Sequence, residues 1–188
     1  NQSGKTDAGL KLDFGSESPI KYDELIDKVK KADLVIFVGG LSSQLEGEEM
    51  PITYLGFKGG DRTDIELPAV QRNCLKALKE AGKKVIFVNC SGSAIAFEPE
   101  TESCQAILQA WYPGEKGGTA VADVLFGDYN PAGKLSVTFY KSSSQLPNFE
   151  DYSMKGRTYR YMKEDPLFPF GYGLSYTTFE YSNLQVGK

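Results

Sequence analysis

Apolar residues recur at helical spacing in "YDELIDKVKKA", where Tyr22, Leu25, Ile26, Val29 and Ala32 share one face. The next segment, "DLVIFVGG", is an unbroken apolar run closed by glycines, the pattern of a strand buried on both faces. The unit repeats in "PAVQRNCLKALKEAG", with Val70, Cys74, Ala77 and Leu78 inward, Pro68 suited to a first turn and Gly82 to a stop. The strand "KKVIFVNC" follows it. A short strand in "AILQAWY", a Gly-rich turn and the helix "GTAVADVLFGD", with Ala120, Val121, Val124 and Leu125 inward, complete the alternation. Strands alternating with helices predict an α/β fold, a three-layer sandwich with a mainly parallel sheet.

Beyond the turn signal "NPAG" the regularity fades. "KLSVTFY" alternates Leu135, Val137 and Phe139 with polar neighbours, as an edge strand does. Residues 141–178 are rich in Ser, Pro, Gly and aromatics and read as an irregular tail packed on the sandwich, sealed by "TYRY" and "FPFGYG". "FEYSNLQV" reads as a new strand lacking its partners, and "AGLKLDFG" at the front as the last strand of a separate unit. No internal repeat or low-complexity run interrupts this order.

Composition narrows the function. The chain has 188 residues, 40% of them hydrophobic, enough for one ordinary core. A net charge of −4 with scattered Lys and Arg argues against nucleic acid as a partner, and no stretch is long enough for a membrane span. The opening "NQSGKTDAG" is neither a signal peptide nor an initiator methionine, so the chain reads as an excised piece. Cys74, Cys90 and Cys104 match no zinc spacing and read as small buried apolar residues; no metal or cofactor is expected. The absence of histidine removes Ser-His and Cys-His pairs, so acid-base chemistry must rest on carboxylates, lysine or tyrosine.

That directs attention to "LEGEEMPITYLGFKGGDRTDIELP". It leaves a strand at its carboxyl end, where ligands of open α/β sheets bind. The connection from Gly40 to Glu66 is about 27 residues long, far above the usual few, and such loops are functional or disordered. Its Gly-rich centre and aromatics argue for a shaped, functional loop, with a solvated acidic connection as the other reading. Asp61 and Arg62 read as loop-structuring, an ion pair that folds the loop back on itself, with a substrate clamp as the other reading. Trp111 and Tyr112 either stack on a ligand ring or, the preferred reading, finish a core strand. "GEKGG" lacks the Walker ending and the dinucleotide glycine spacing, so it reads as a tight strand-to-helix turn.

The segments "LEGEE", "GGDRTDIELP", "AWYPGEKGGTAVADVLFGDYNPAGKLSVTF", "GRTYRY" and "PLFPFGYGLSYTTFEYSNLQV" occur in order from about residue 20 to the end. Together they resemble the C-terminal α/β-sandwich domain of glycoside hydrolase family 3, of the bacterial β-xylosidase or β-glucosidase type. The resemblance implies a retaining, exo-acting β-glycosidase acting on a β-linked oligosaccharide or glycoside. Its Asp nucleophile would sit on an N-terminal (β/α)8 barrel, and a Glu from the sandwich loop would be the general acid/base. Retaining sites set two carboxyl groups about 5–5.5 Å apart, of which this chain supplies one. Glu46 is the candidate acid/base and Glu48 the reserve. Closure against the barrel would raise the pKa of this carboxyl; without it the loop is expected to be solvated and its glutamates ordinary.

The resemblance also divides the chain. Residues 1–16 would be the tail of a PA14-like insert or linker, 17–176 the sandwich domain without its first strand, and 177–188 the entry to a fibronectin-III-like domain. It implies a periplasmic or extracellular bacterial protein. Two other classes stay in view: a non-catalytic carbohydrate-binding or interaction module, and a nucleotide-binding α/β domain, which the missing glycine fingerprint disfavours.

Overall fold

The computed structural model describes residues 21–47, 49–51 and 54–187. Glu48, the reserve candidate, and the segment 1–16 lie outside the described residues. In chain order the elements are α1 (Tyr22–Lys28), β1 (Leu34–Gly40), β2 (Phe57–Lys58), β3 (Asp61–Arg62), α2 (Ala69–Glu80), β4 (Lys84–Cys90), α3 (Glu98–Ser103), β5 (Ala106–Gln109), α4 (Gly117–Phe126) and α5 (Thr158–Tyr161). The order β1-β4-β5 forms a parallel sheet, with Leu34 opposite Lys84, Gly40 opposite Cys90 and Asn89 opposite Gln109. The expected α/β architecture is therefore present.

Local signals account for α2. Pro68 precedes its first residue in an extended conformation, and Gly82 adopts φ +72 after its last turn. The Lys83 N–H reaches the Leu78 carbonyl and the Gly82 N–H the Lys79 carbonyl, which closes the helix end with a left-handed glycine. Cys74, Leu75 and Leu78 of this helix join Leu25 of α1 and Val85 and Phe87 of β4 in the core. Val35 and Phe37 of β1 pack against the same cluster. At the other end of the sheet, the "GEKGG" turn is tight as expected: the Gly117 N–H bonds the Gly114 carbonyl at 2.9 Å, and a Cβ on Gly117 would lie 2.4 Å from the Pro113 ring.

Four sequence expectations are corrected. The apolar run of β1 is not buried on both faces: Leu34, Ile36 and Val38 are exposed, because none of the described residues covers that side. In α4 Ala120 is exposed, and Val121, Val124 and Leu125 are only half-buried. "KLSVTFY" forms a single antiparallel bridge, Phe139 to Phe168, rather than a strand, although Leu135 also exchanges backbone bonds with Gly171 and Tyr172. "FEYSNLQV" forms no strand, and Phe179, Tyr181, Leu184 and Val186 are exposed.

The tail is sealed by part of its aromatic set. Phe168 packs on Phe97 at 6.1 Å and stacks on Tyr172 at 4.5 Å, and Phe97 in turn meets Phe87 and Phe139. Tyr159 and Phe170 stack on each other but remain exposed, as does Tyr161. Phe168 and Leu167 therefore do the sealing, with Tyr172, itself exposed, stacked on Phe168, while "TYRY" forms the short α5 at the surface.

All three cysteines are free, with Cys74 buried and Cys90 and Cys104 half-buried. Burial pushes the Cys74 and Cys104 thiols up to about 11, with Glu100 adding to the rise at Cys104, and raises Cys90 as well. At pH 8 a thiol of that pKa is about one-thousandth thiolate, the reactive form. Iodoacetamide should therefore label Cys74 and Cys104 far more slowly in the folded chain than in guanidinium, where three thiols should titrate. A count of one thiol would reveal a disulfide and contradict the packing.

Candidate active site

Three strand ends meet at one carboxylate. Glu46 follows β1, Gly92 and Ser93 follow β4, and Tyr112 follows β5, so every member stands at the carboxyl edge of the parallel sheet. The Gly92 N–H donates to Glu46 Oε2 at 2.9 Å. The Tyr112 hydroxyl donates to the same oxygen, and the Ser93 hydroxyl donates to Oε1. The Arg62 guanidinium lies 3.9 Å from Oε1, and the Glu46 side chain is only 12% exposed.

Each partner is held from behind. The Gln71 side chain accepts from the Gly40 N–H and donates to the Gly40 carbonyl, which fixes where the long loop leaves β1. Asn89 bonds Ser91 and Gln109, and the Ser91 hydroxyl donates to the Ser93 carbonyl at 2.8 Å, so the turn after β4 is tied to the strand beside it. Trp111 adopts φ +55, a left-handed conformation that a bulky residue occupies only under constraint. That twist sends its ring into the core against Phe139 at 6.1 Å while Tyr112 turns outward to Glu46. The two aromatics thus divide: Trp111 is core, as expected, and Tyr112 is not a strand-finishing residue but part of the site.

The loop is shaped by a hairpin and by Arg62. Lys58 pairs with Asp61 and Phe57 with Arg62 across Gly59 and Gly60, whose φ of +63 and +93 suit the tight hairpin turn. The expected Asp61–Arg62 ion pair does not form. Neighbouring residues of a strand point to opposite faces, so Asp61 faces solvent while Arg62 turns in. Arg62 donates to the Asp64 and Glu66 carbonyls and to Ser93, and lies over the Phe57 ring at 5.5 Å. Arg62 thus bonds backbone carbonyls of its own loop and stands beside Glu46.

The other described loop carboxylates are engaged elsewhere or face solvent. Asp64 accepts from the Glu66 N–H, and Glu66 pairs with Arg72 at 3.0 Å, beside the fully buried Glu100. Glu49 and Asp61 are exposed. A cavity of about 210 Å³ between the hairpin and α2, lined in part by Leu55, Phe57, Leu67 and Arg72, does not include Glu46.

The electrostatics of Glu46 correct the expectation of an ordinary, solvated glutamate. Burial alone would raise its carboxyl, but the bonds from Ser93, Tyr112 and Gly92 and the Arg62 charge outweigh burial and hold it below its ordinary value. Tyr112 is pushed up to about 12 by burial and by Glu46, so it keeps its proton and stays a donor. Among the described residues no group of three or more His, Cys, Asp or Glu side chains is placed to hold a metal ion. Sequence reasoning singled out Glu46, named Tyr112 but preferred a core role for it, and missed Gly92 and Ser93, whose one available signal was the small "SGS" directly after a buried strand.

These features define a parallel α/β domain that presents an enclosed, hydrogen-bonded loop carboxylate at the carboxyl edge of its sheet. Residues 7–176 match the model of the glycosyl hydrolase family 3 C-terminal domain, and the chain belongs to that family. It is 69% identical over 179 residues to a xylan 1,4-beta-xylosidase of Xylanibacter ruminicola, covering 95% of this chain and 21% of that protein. It is 40% identical over 178 residues to a periplasmic beta-glucosidase of Salmonella typhimurium, covering 88% and 22%. A crystal structure of a beta-glucosidase from Kluyveromyces marxianus superposes with a TM-score of 0.70 at 32% identity, covering 85% and 19%. The chain spans about a fifth of the length of the relatives it matches.

Proposed function

We propose that this chain is the sandwich-domain part of a retaining, exo-acting β-glycosidase and that Glu46 is its general acid/base. The carrying observation is the convergence of three strand ends on the Glu46 carboxylate, the one described loop carboxylate so enclosed. Such a group, within hydrogen-bond reach of a glycosidic oxygen, would protonate the departing sugar and then take a proton from the attacking water. The Asp nucleophile would come from an N-terminal (β/α)8 barrel of the same full-length protein, whose approach would complete the site. Docking of that barrel and of substrate would also remove water from Glu46 and raise its pKa toward that of a working acid.

The strong similarity to a xylan 1,4-beta-xylosidase makes a β-xyloside the first substrate to try. A periplasmic or extracellular site of action accords with the name of the Salmonella relative. No helix among the described residues is long and apolar enough to cross a membrane. Residues 1–16 as the end of a preceding insert, and 177–188 as the entry to a fibronectin-III-like domain, belong to the same reading.

The 188-residue chain alone should hydrolyse no p-nitrophenyl β-xyloside above background, because covalent catalysis needs both carboxylates. Steady turnover by the purified chain would overturn the shared-site reading. Saturable sugar binding by the same inactive chain would instead favour a carbohydrate-binding module.

A further inference from the structure

We propose that Tyr112 is a positioning residue for Glu46, whose hydroxyl orients the carboxylate and helps set the pH at which it surrenders its proton. The inference rests on the reading of Glu46 as acid/base and extends it to a residue that lies 66 positions away in the chain.

The Glu46 carboxylate accepts from Ser93 on one oxygen and from Gly92 and Tyr112 on the other. A carboxylate so surrounded has little acceptor capacity left, and it cannot turn without giving up a partner. The donors are not equivalent. The Gly92 N–H is part of the backbone, and the Ser93 hydroxyl is shared with Arg62 at 3.2 Å. Tyr112 is 45% exposed, and its hydroxyl is a side-chain donor to Glu46 that one substitution removes.

Two further features are built around this contact. A Cβ on Gly92 would lie 2.6 Å from the Tyr112 ring and 3.1 Å from Glu46 Oε2, so glycine at that position allows ring and carboxylate to meet. The left-handed backbone of Trp111 aims Tyr112 outward, an unfavourable conformation that the core packing of the indole sustains. Among the described residues, the charged and titratable groups facing Glu46 are Arg62 from β3 and Tyr112 after β5, with Asp64 and Glu66 beyond Arg62. Against that background each donor favours the carboxylate over the acid, so losing one raises the pH at which Glu46 ionises.

The test uses Tyr112→Phe, which keeps the ring over Gly92 and removes only the hydroxyl. In the 188-residue chain, a carbon-13 NMR titration of the Glu46 carboxyl should move to higher pH by about one unit. Ser93→Ala should move it the same way, and Ser93→Thr, which restores a hydroxyl, should titrate near wild type. In the full-length enzyme, the alkaline limb of kcat/KM on xylobiose, which reports the acid in the free enzyme, should move upward in Tyr112→Phe by a similar amount. An unmoved Glu46 titration, or an unmoved alkaline limb where Glu46→Gln is itself impaired, would overturn the proposal. Undiminished xylobiose cleavage by Glu46→Gln would instead overturn the acid/base reading, and the carboxyl titration would still decide the Tyr112 contact.

Discussion

In a full-length enzyme carrying this chain, Glu46→Gln should lower kcat/KM on xylobiose by about 10²–10⁴-fold and that on p-nitrophenyl β-xyloside far less. The asymmetry follows from the role. A sugar leaves as a poor alkoxide unless its oxygen is protonated, whereas p-nitrophenolate departs without help, so loss of the acid shows only with the sugar. The second half of the cycle then limits the activated substrate, because water attacking the glycosyl-enzyme needs the same group as base. Azide needs no base; it should restore kcat on p-nitrophenyl β-xyloside and yield a glycosyl azide of retained configuration. If Glu48→Gln shows this dependence and rescue while Glu46→Gln cleaves xylobiose like wild type, the loop is catalytic through the other residue. If neither does, the acidic loop is only a connection.

The second large effect is on stability. Phe87, in the central strand β4, is 0% exposed and lies 5.7 Å from the Phe37 ring and 6.4 Å from the Phe97 ring. Phe87→Ala should cost about 3–5 kcal/mol, because it removes the transfer free energy of the ring and leaves a void that neighbours on β1 and after β4 cannot fill without moving. Against a usual domain stability of about 5–15 kcal/mol, that is at least about a fifth of the total. Urea unfolding should show a lower midpoint with an unchanged slope. A loss below about 1 kcal/mol would mean that the aromatic cluster around Phe87 is not the centre of the core. Phe87→Leu, which keeps most of the volume, should be distinctly milder.

By itself the sequence determined the alternation of helices and parallel strands, the ends of α2 at Pro68 and Gly82, and the loop in which to look for a carboxylate. Those features are local, written in spacing, in glycine and proline, and in loop length. The tertiary structure decided what depends on neighbours distant in the chain. An apolar run such as β1 says that a strand is present but not what covers each side, so the exposure of Leu34, Ile36 and Val38 could not be read from it. Asp61 and Arg62 are adjacent in sequence, yet a strand sends them to opposite faces, and Arg62 found Glu46 instead. Above all, Glu46 stood out in an acidic loop, while Gly92, Ser93 and Tyr112 lay 46 to 66 residues away, and nothing in their own segments tied them to that carboxylate. They meet because parallel strands in register bring their carboxyl ends to one edge, and that register is a property of the packed sheet, not of any one segment.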